Sequence, residues 1–206
     1  METIHKPKLI LFGTGGHAFS TFDSVTDYEV AGFIDELCTG KFLGKPIYNS
    51  IEEVPNHRSL FYHIAVGDCE LRKHFYTKCK DAGARLVNII HPSACVSKYA
   101  VLGEGNFIGR FATVGVDVKI GDNNLLNSGC IVEHGCRIGN HNNICPQAVL
   151  NGDEIVDDLC FIGSNSVLKG DLHIGSNSVV GCGAVCVKNV ECGTTVVGNP
   201  ARPINR

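Results

Sequence analysis

Residues 126–150 read LNSGCIVEHGCRIGNHNNICPQAVL, and within them Leu126, Val132, Ile138, Ile144 and Leu150 stand six apart. The same step finds Val96, Leu102, Ile108, Val114 and Ile120 before this stretch, and Val156, Ile162, Leu168, Ile174 and Val180 after it. Val, Ile and Leu make up roughly a quarter of an ordinary sequence, so an unbroken register of this length is not a product of composition. Neither the helical period of 3.6 nor a long alternating strand accounts for a strict six. One short strand plus one turn does. The aliphatic points inward, a permissive residue makes the corner, and a small residue packs inward near it. Glycine follows the aliphatic at Gly103, Gly109, Gly115, Gly121, Gly139, Gly163, Gly175 and Gly181, and the position four past it is mostly small, as at Ala112, Cys130, Cys136, Ala148, Cys160, Ser166 and Ala184. Hexapeptide repeats of this kind are the signature of a parallel β-helix.

The repeat also accounts for cysteines. There are eleven, an odd number, with no CxxC pair, and Cys130, Cys136 and Cys160 fall in the small inward slot, where a thiol packs as a small hydrophobe. Free thiols in a reducing cytoplasm are expected. Cys136 and Cys145, the cysteines nearest His141 that could be imagined as metal ligands with it, fall in an inward slot and at a corner respectively and should diverge, so no metal is expected. A net charge of −3 without any Lys/Arg run argues against nucleic acid or an anionic membrane surface as partner. The start, METIHKPKLILFGTGG, lacks a leader pattern, and no apolar segment approaches the ~18 residues that membrane insertion needs.

Residues 1–90 read as a separate α/β domain ahead of a β-helix spanning 91–206. Lys8–Phe12, Tyr28–Ile34, Phe61–Val66 and Arg85–Ile90 are strand-like, and a helix after Asp68 should bury Leu71, Phe75 and Cys79 at i, i+4, i+8. Asp68 is placed to cap that helix. Gly13-x-Gly15-x-x-Ala18 fits the phosphate turn that opens a Rossmann unit, with Asp35 near the position of a ribose-binding acid. Ninety residues are short for a full dinucleotide domain, so a nucleotide-linked small molecule fits better than NAD.

The FGTGGH turn, the GFID strand end, IAVGDCELRKH, RLVNIIHPSA, the hexads with EHG and the closing VVGNPARPI together resemble the NeuD/PglD-type sugar acetyltransferases over nearly the whole chain. That resemblance implies a left-handed β-helix, a homotrimer, a Rossmann-like front domain that holds a nucleotide sugar, and acetyl-CoA as co-substrate in the groove between neighbouring β-helices. It matches His134 to the family's general base and Asn127 to an active-site asparagine. The nucleotide-sugar residues it implies are Gly13, Gly15, Gly16, His17, Asp35, Glu36, Gly67 and Asp68. For acetyl-CoA it points to Asn143, Gly152, Ser164, Gly181, Cys182, Lys188 and Arg202. An amine or hydroxyl attacking a thioester must lose a proton, which histidine is suited to accept.

One departure stands out. N-acetylating relatives usually follow the base with an acid that orients its ring, whereas here Gly135 follows and Glu133 precedes. Glu133, His141 or a backbone carbonyl are the candidates for that role. The expected reaction is N-acetylation of a nucleotide-linked 4-amino-deoxy sugar for a bacterial surface glycan. Sialic-acid-type O-acetylation is the alternative, favoured by the EHG triplet, and a noncatalytic sugar-nucleotide scaffold is the alternative of another class.

Overall fold

The computed structural model describes residues 6–204; the first five residues of the front segment and the last two of the β-helix segment lie outside it. The front of the chain builds a six-stranded sheet in the order β3-β4-β2-β1-β5-β6. Its central strands β1 (Lys8–Phe12), β2 (Glu29–Ile34) and β5 (Phe61–Ile64) are parallel and nearly all apolar, as strands covered on both faces must be. Helix α1 (Gly16–Ser24) follows β1 and α2 (Cys69–Asp81) follows β5. Two short strands, β3 (Lys41–Phe42) and β4 (Lys45–Tyr48), form an edge hairpin without an alternating sequence pattern to announce it.

Two readings of this region need correction. The buried side of α2 is Arg72, Phe75 and Cys79, while Leu71 is 46% exposed, because the helix leans its first turn over a cavity and not over the sheet. The strand expected over 85–90 is two strands. Arg85–Leu86 (β6) closes the front sheet, and Ile89–Ile90 begins the first coil of the next unit by pairing with Phe107–Ile108.

From Ile89 onward the chain is a left-handed parallel β-helix with three strands per coil, so each strand pairs with the one eighteen residues later, as in Thr113↔Ile131 and Ile131↔Val149. The three sheets form the faces of a triangular prism. The first face carries Phe107–Ile108 and Leu125–Leu126, the second Thr113–Val114 and Ile131–Val132, the third Lys119–Ile120 and Arg137–Ile138. The aliphatic register lines the interior, with every member from Ile108 to Val180 at most 4% exposed, and Cys186 continues it. Cys130, Cys136 and Cys160 are fully buried in the small slot, and all eleven cysteines are free.

The corner residue is not the one expected. Left-handed φ occurs three positions past the aliphatic, at Asp117, Asn123, Gly129, Gly135, His141 and Asp153 among others. The glycines directly after the aliphatic serve close stacking instead. A Cβ on Gly115 would lie 2.8 Å from the His134 amide nitrogen, and one on Gly163 would lie 2.6 Å from that of Cys182, in each case one coil later.

Polar residues of the inner slot bond to the backbone of the neighbouring coil. Asn106, Asn124 and Asn142 stack eighteen apart, each Oδ1 accepting from the backbone amide one coil on. Glu154 is the outlier, a fully buried carboxylate that accepts from the Gly170 and Leu172 amides at 2.7 and 3.0 Å. Burial pushes its carboxyl up to about 7, against the pull of those two donors. Between an ordinary glutamate value and about 7, the folded state holds a proton that the unfolded chain has released, so stability falls as pH rises through this window. The thermal midpoint is therefore expected to drop between about pH 5 and pH 8, on the order of 2 kcal/mol of stability in all, and Glu154→Gln should flatten that dependence. Unfolding followed by circular dichroism across the range checks it.

Candidate active site

The turn from β1 to α1 and the loops after β2 and β5 open on one side of the front sheet and enclose a cavity of about 340 Å³. Gly13, Gly15, Gly16, His17, Asp35, Glu36 and Gly67 all line it, with Leu71 and Phe75 of α2. Gly13 adopts φ +97° against the Ala65 carbonyl, where a side chain would collide, so the backbone itself forms the wall. The Asp35 carboxylate accepts from the Thr14 hydroxyl at 2.6 Å, the Thr14 amide and the Leu37 and Cys38 amides. Partial burial opposes its ionisation, but these donors prevail and hold it below the usual carboxylate range. Glu36 pairs with Lys78 at the rim. Asp68 does not line the cavity; its carboxylate caps α2, accepting from the Leu71 amide at 2.8 Å.

His17 stands edge-on to Phe107 of the β-helix, ring centroids 4.7 Å apart. Burial above all, then the neighbouring His63 and Arg72, lowers it to about 3. It therefore meets a ligand as a neutral donor or acceptor. His63, fully buried with Nδ1 2.9 Å from the Val87 carbonyl, is lowered by burial to about 4.

Arg72 was not singled out by sequence reasoning, yet it joins the two units. Only 1% exposed, it donates to Gly67 O at 3.0 Å beside the cavity and to Asn123 O, His141 O and Asn142 O of the β-helix at 3.0, 2.8 and 2.9 Å. Asn143 also ties this seam, donating to Gly67 O at 3.2 Å, which places it at the front-domain junction. With Phe107 and Leu125 packed against β1, the front domain sits on the first face and on the corner leading into it.

The other candidates occupy the two remaining corners. Asn127, Ser164, Gly181 and Cys182 lie on the corner after the first face, and the Asn127 Oδ1 accepts from the Ser128 amide. Glu133 and His134 lie on the corner after the second face, both exposed. Down that edge, eighteen apart, run His134, Gly152, Gly170 and Lys188. The His134 ring lies directly over Gly152, where an added Cβ would come within 2.3 Å of Cε1. At the foot of the edge, Lys188 and Arg202 line a cavity of about 400 Å³ between the last coil and the terminal segment. His141 stands on a different corner, with Nδ1 2.9 Å from Asn123 Nδ2. Among the described residues no group of three or more His, Cys, Asp or Glu is arranged to hold a metal ion.

Residues 8–79 match the PglD N-terminal domain, and residues 117–152 match the bacterial transferase hexapeptide, six repeats. A histidine-to-asparagine mutant of perosamine N-acetyltransferase from Caulobacter crescentus, solved with CoA and GDP-perosamine, superposes with a TM-score of 0.91 at 30% identity over 99% of both chains. This chain belongs to the NeuD/PglD-type sugar acetyltransferases. Two further family members are similar along their length. The acetyltransferase domain of PglB from Neisseria gonorrhoeae FA1090, in complex with acetyl coenzyme A, gives a TM-score of 0.89 at 28% identity, covering 97% of this chain and all of that one. GDP-perosamine N-acetyltransferase of Escherichia coli O157:H7 is 28% identical over 95% of this chain and 96% of its own. The eighteen-residue stacking that pairs His134 with Gly152 is a property of the three-stranded coil.

Proposed function

We propose that this protein is an acetyl-CoA-dependent N-acetyltransferase acting on the amino group of a nucleotide-linked 4-amino-deoxy sugar for a bacterial surface glycan. The observation that carries the reading is the His134–Gly152–Gly170–Lys188 edge in a chain similar over its full length to an enzyme solved with CoA and GDP-perosamine. The nucleotide sugar occupies the front cavity, its diphosphate against the glycine turn and the N-terminus of α1, where free amides favour an anion. Acetyl-CoA lies along the glycine edge, with Lys188 and Arg202 meeting its phosphates and Asn127, Ser164, Gly181 and Cys182 supplied by the corner of an adjoining copy.

The amine attacks the thioester carbonyl directly. His134 takes the proton that the nitrogen sheds, the tetrahedral intermediate expels CoA thiolate, and the imidazolium returns the proton to sulfur. No enzyme nucleophile is needed, in keeping with buried thiols such as Cys130, which burial raises to about 12. Relatives described as N-acetyltransferases support an amine acceptor over a hydroxyl.

The geometry supports a second copy at the site. The His134 corner is opposite the face that carries the front domain, so one protomer does not bring its own base to its own cavity. Past Cys95, the outward row of the second face, Thr113, Ile131, Val149, Val167 and Val185, is β-branched and partly exposed. A homotrimer covers it and brings one protomer's edge to its neighbour's cavity. Light scattering is expected to return three times the chain mass; a monomer with full activity would remove the shared site.

The deciding assay is release of CoA thiol from acetyl-CoA against nucleotide-linked 4-amino sugars and sialic acids. Turnover on an amino sugar, lost by ~100-fold or more in His134→Ala, is expected; turnover on sialic acid alone overturns the amine reading. Gly152→Ala should lower kcat at least tenfold by displacing the His134 ring, while its thermal midpoint stays within about 3 °C of wild type, since the turn is exposed.

A further inference from the structure

Residue 135, directly after His134, is glycine and supplies no acid to orient the ring. A carboxylate nevertheless stands beside the ring. Asp153, nineteen residues later and one coil down, brings Oδ2 to 3.8 Å from His134 Nδ1. Of the side chains considered from sequence for this role, Glu133 is not within ion-pairing distance of His134, where Asp153 is, and His141 belongs to another corner.

Three features of the backbone build this approach. Asp153 donates its amide to the His134 carbonyl at 2.9 Å, which locks the two turns in register. Asp153 sits at φ +61°, the left-handed corner position that Asp tolerates better than most residues. Gly135 completes the arrangement, since a Cβ built there would lie 1.9 Å from Asp153 Oδ1. The Asp153 carboxylate therefore fills the volume that a side chain at 135 would occupy. A carboxylate thus reaches the His134 ring from the neighbouring coil.

We infer that Asp153 is the positioning residue for His134, resting on His134 as the base. The carboxylate is 60% exposed and the imidazole 61%, so the pair closes from 3.8 Å to a hydrogen bond by side-chain rotation when the acceptor and the adjoining protomer exclude water. Nδ1–H then donates to Asp153, which fixes the tautomer and leaves the Nε2 lone pair to take the amine proton. As that proton arrives, the carboxylate stabilises the imidazolium. Gly152 beneath the ring and Asp153 at its edge thus define its plane and its rotation respectively.

The test is steady-state kinetics on the acetyl-CoA reaction with the full chain. Asp153→Asn, isosteric and exposed, is expected to lower kcat about tenfold or more while leaving KM for both substrates within about twofold, because the lost interaction matters only as charge develops on the ring. In a His134→Ala background the same substitution should have no further effect, since Asp153 acts through His134. Moving the acid back, Gly135→Asp with Asp153→Gly, should recover most of the lost kcat. Wild-type kcat in Asp153→Asn, beside a collapsed His134→Ala, overturns the role of Asp153 and leaves the base intact. An additive loss in the His134→Ala background, without recovery in the transposed pair, shows a role in the turn and overturns it equally. Undiminished turnover in His134→Ala instead defeats the base, and the positioning role with it.

Discussion

The stacking of each coil on the next, at the close spacing that parallel backbone hydrogen bonds impose, is the constraint on which the remaining structure depends. Amide-to-carbonyl bonds such as Thr113 to Cys130 at 2.9 Å and Gly115 to Val132 at 2.8 Å repeat along the prism. That spacing leaves no room for a Cβ directly after the inward aliphatic wherever the chain turns tightly, which is why glycine recurs at Gly115 and Gly163. It also admits only small or mutually bonded groups at the inner slot, whence the buried thiols and the asparagine ladder. Glu154 obeys the same rule by accepting from two amides of the next turn. The chemistry inherits this rigidity. His134 and Asp153 are held on adjacent coils whose separation is set by backbone bonds, not by side-chain packing.

The front domain is joined to this prism by an unusual seam. Arg72 is buried without a carboxylate among its partners, and its charge is spread over backbone carbonyls from both units. Carbonyl oxygens are acceptors with no alternative state, so each lost donor would leave a buried acceptor unpaired. The guanidinium thereby fixes the Gly67 loop, a wall of the cavity, relative to coils that begin eighteen residues apart. A buried cation in such a cage favours one arrangement of the two units over others.

Legibility in the sequence follows interaction range. The aliphatic register, the front strands β1 and β2 and the Asp68 cap are local patterns, and each was readable from residues within a turn or a coil. The corner conformation was misassigned because glycine serves two needs, left-handed φ and close approach, and the sequence shows only the residue type. The Asp153–His134 approach was missed for a different reason. Its partners are neighbours only after three strands close into one coil, and a period of six alone does not state how many strands do so. Arg72 gave no signal at all, since its partners are carbonyls that any residue supplies.

The electrostatics of the cavity argue that recognition there is carried by the backbone. Its lining contains no lysine or arginine, only the two acids Asp35 and Glu36, with Lys78 engaged by Glu36 at the rim. His17, kept neutral chiefly by burial, adds no positive charge. Asp35 is already satisfied by Thr14 and the loop after β2, so its charge is absorbed within the chain instead of projecting into the cavity. A diphosphate entering this space meets the amides of the Gly15–His17 turn at the start of α1, whose partial charges favour an anion without the desolvation cost of a buried cation. Such amides answer to the charge of a diphosphate and do not read the group it carries. On the proposed reading, discrimination among sugars then comes from beyond the diphosphate, where the ligand leaves the glycine turn.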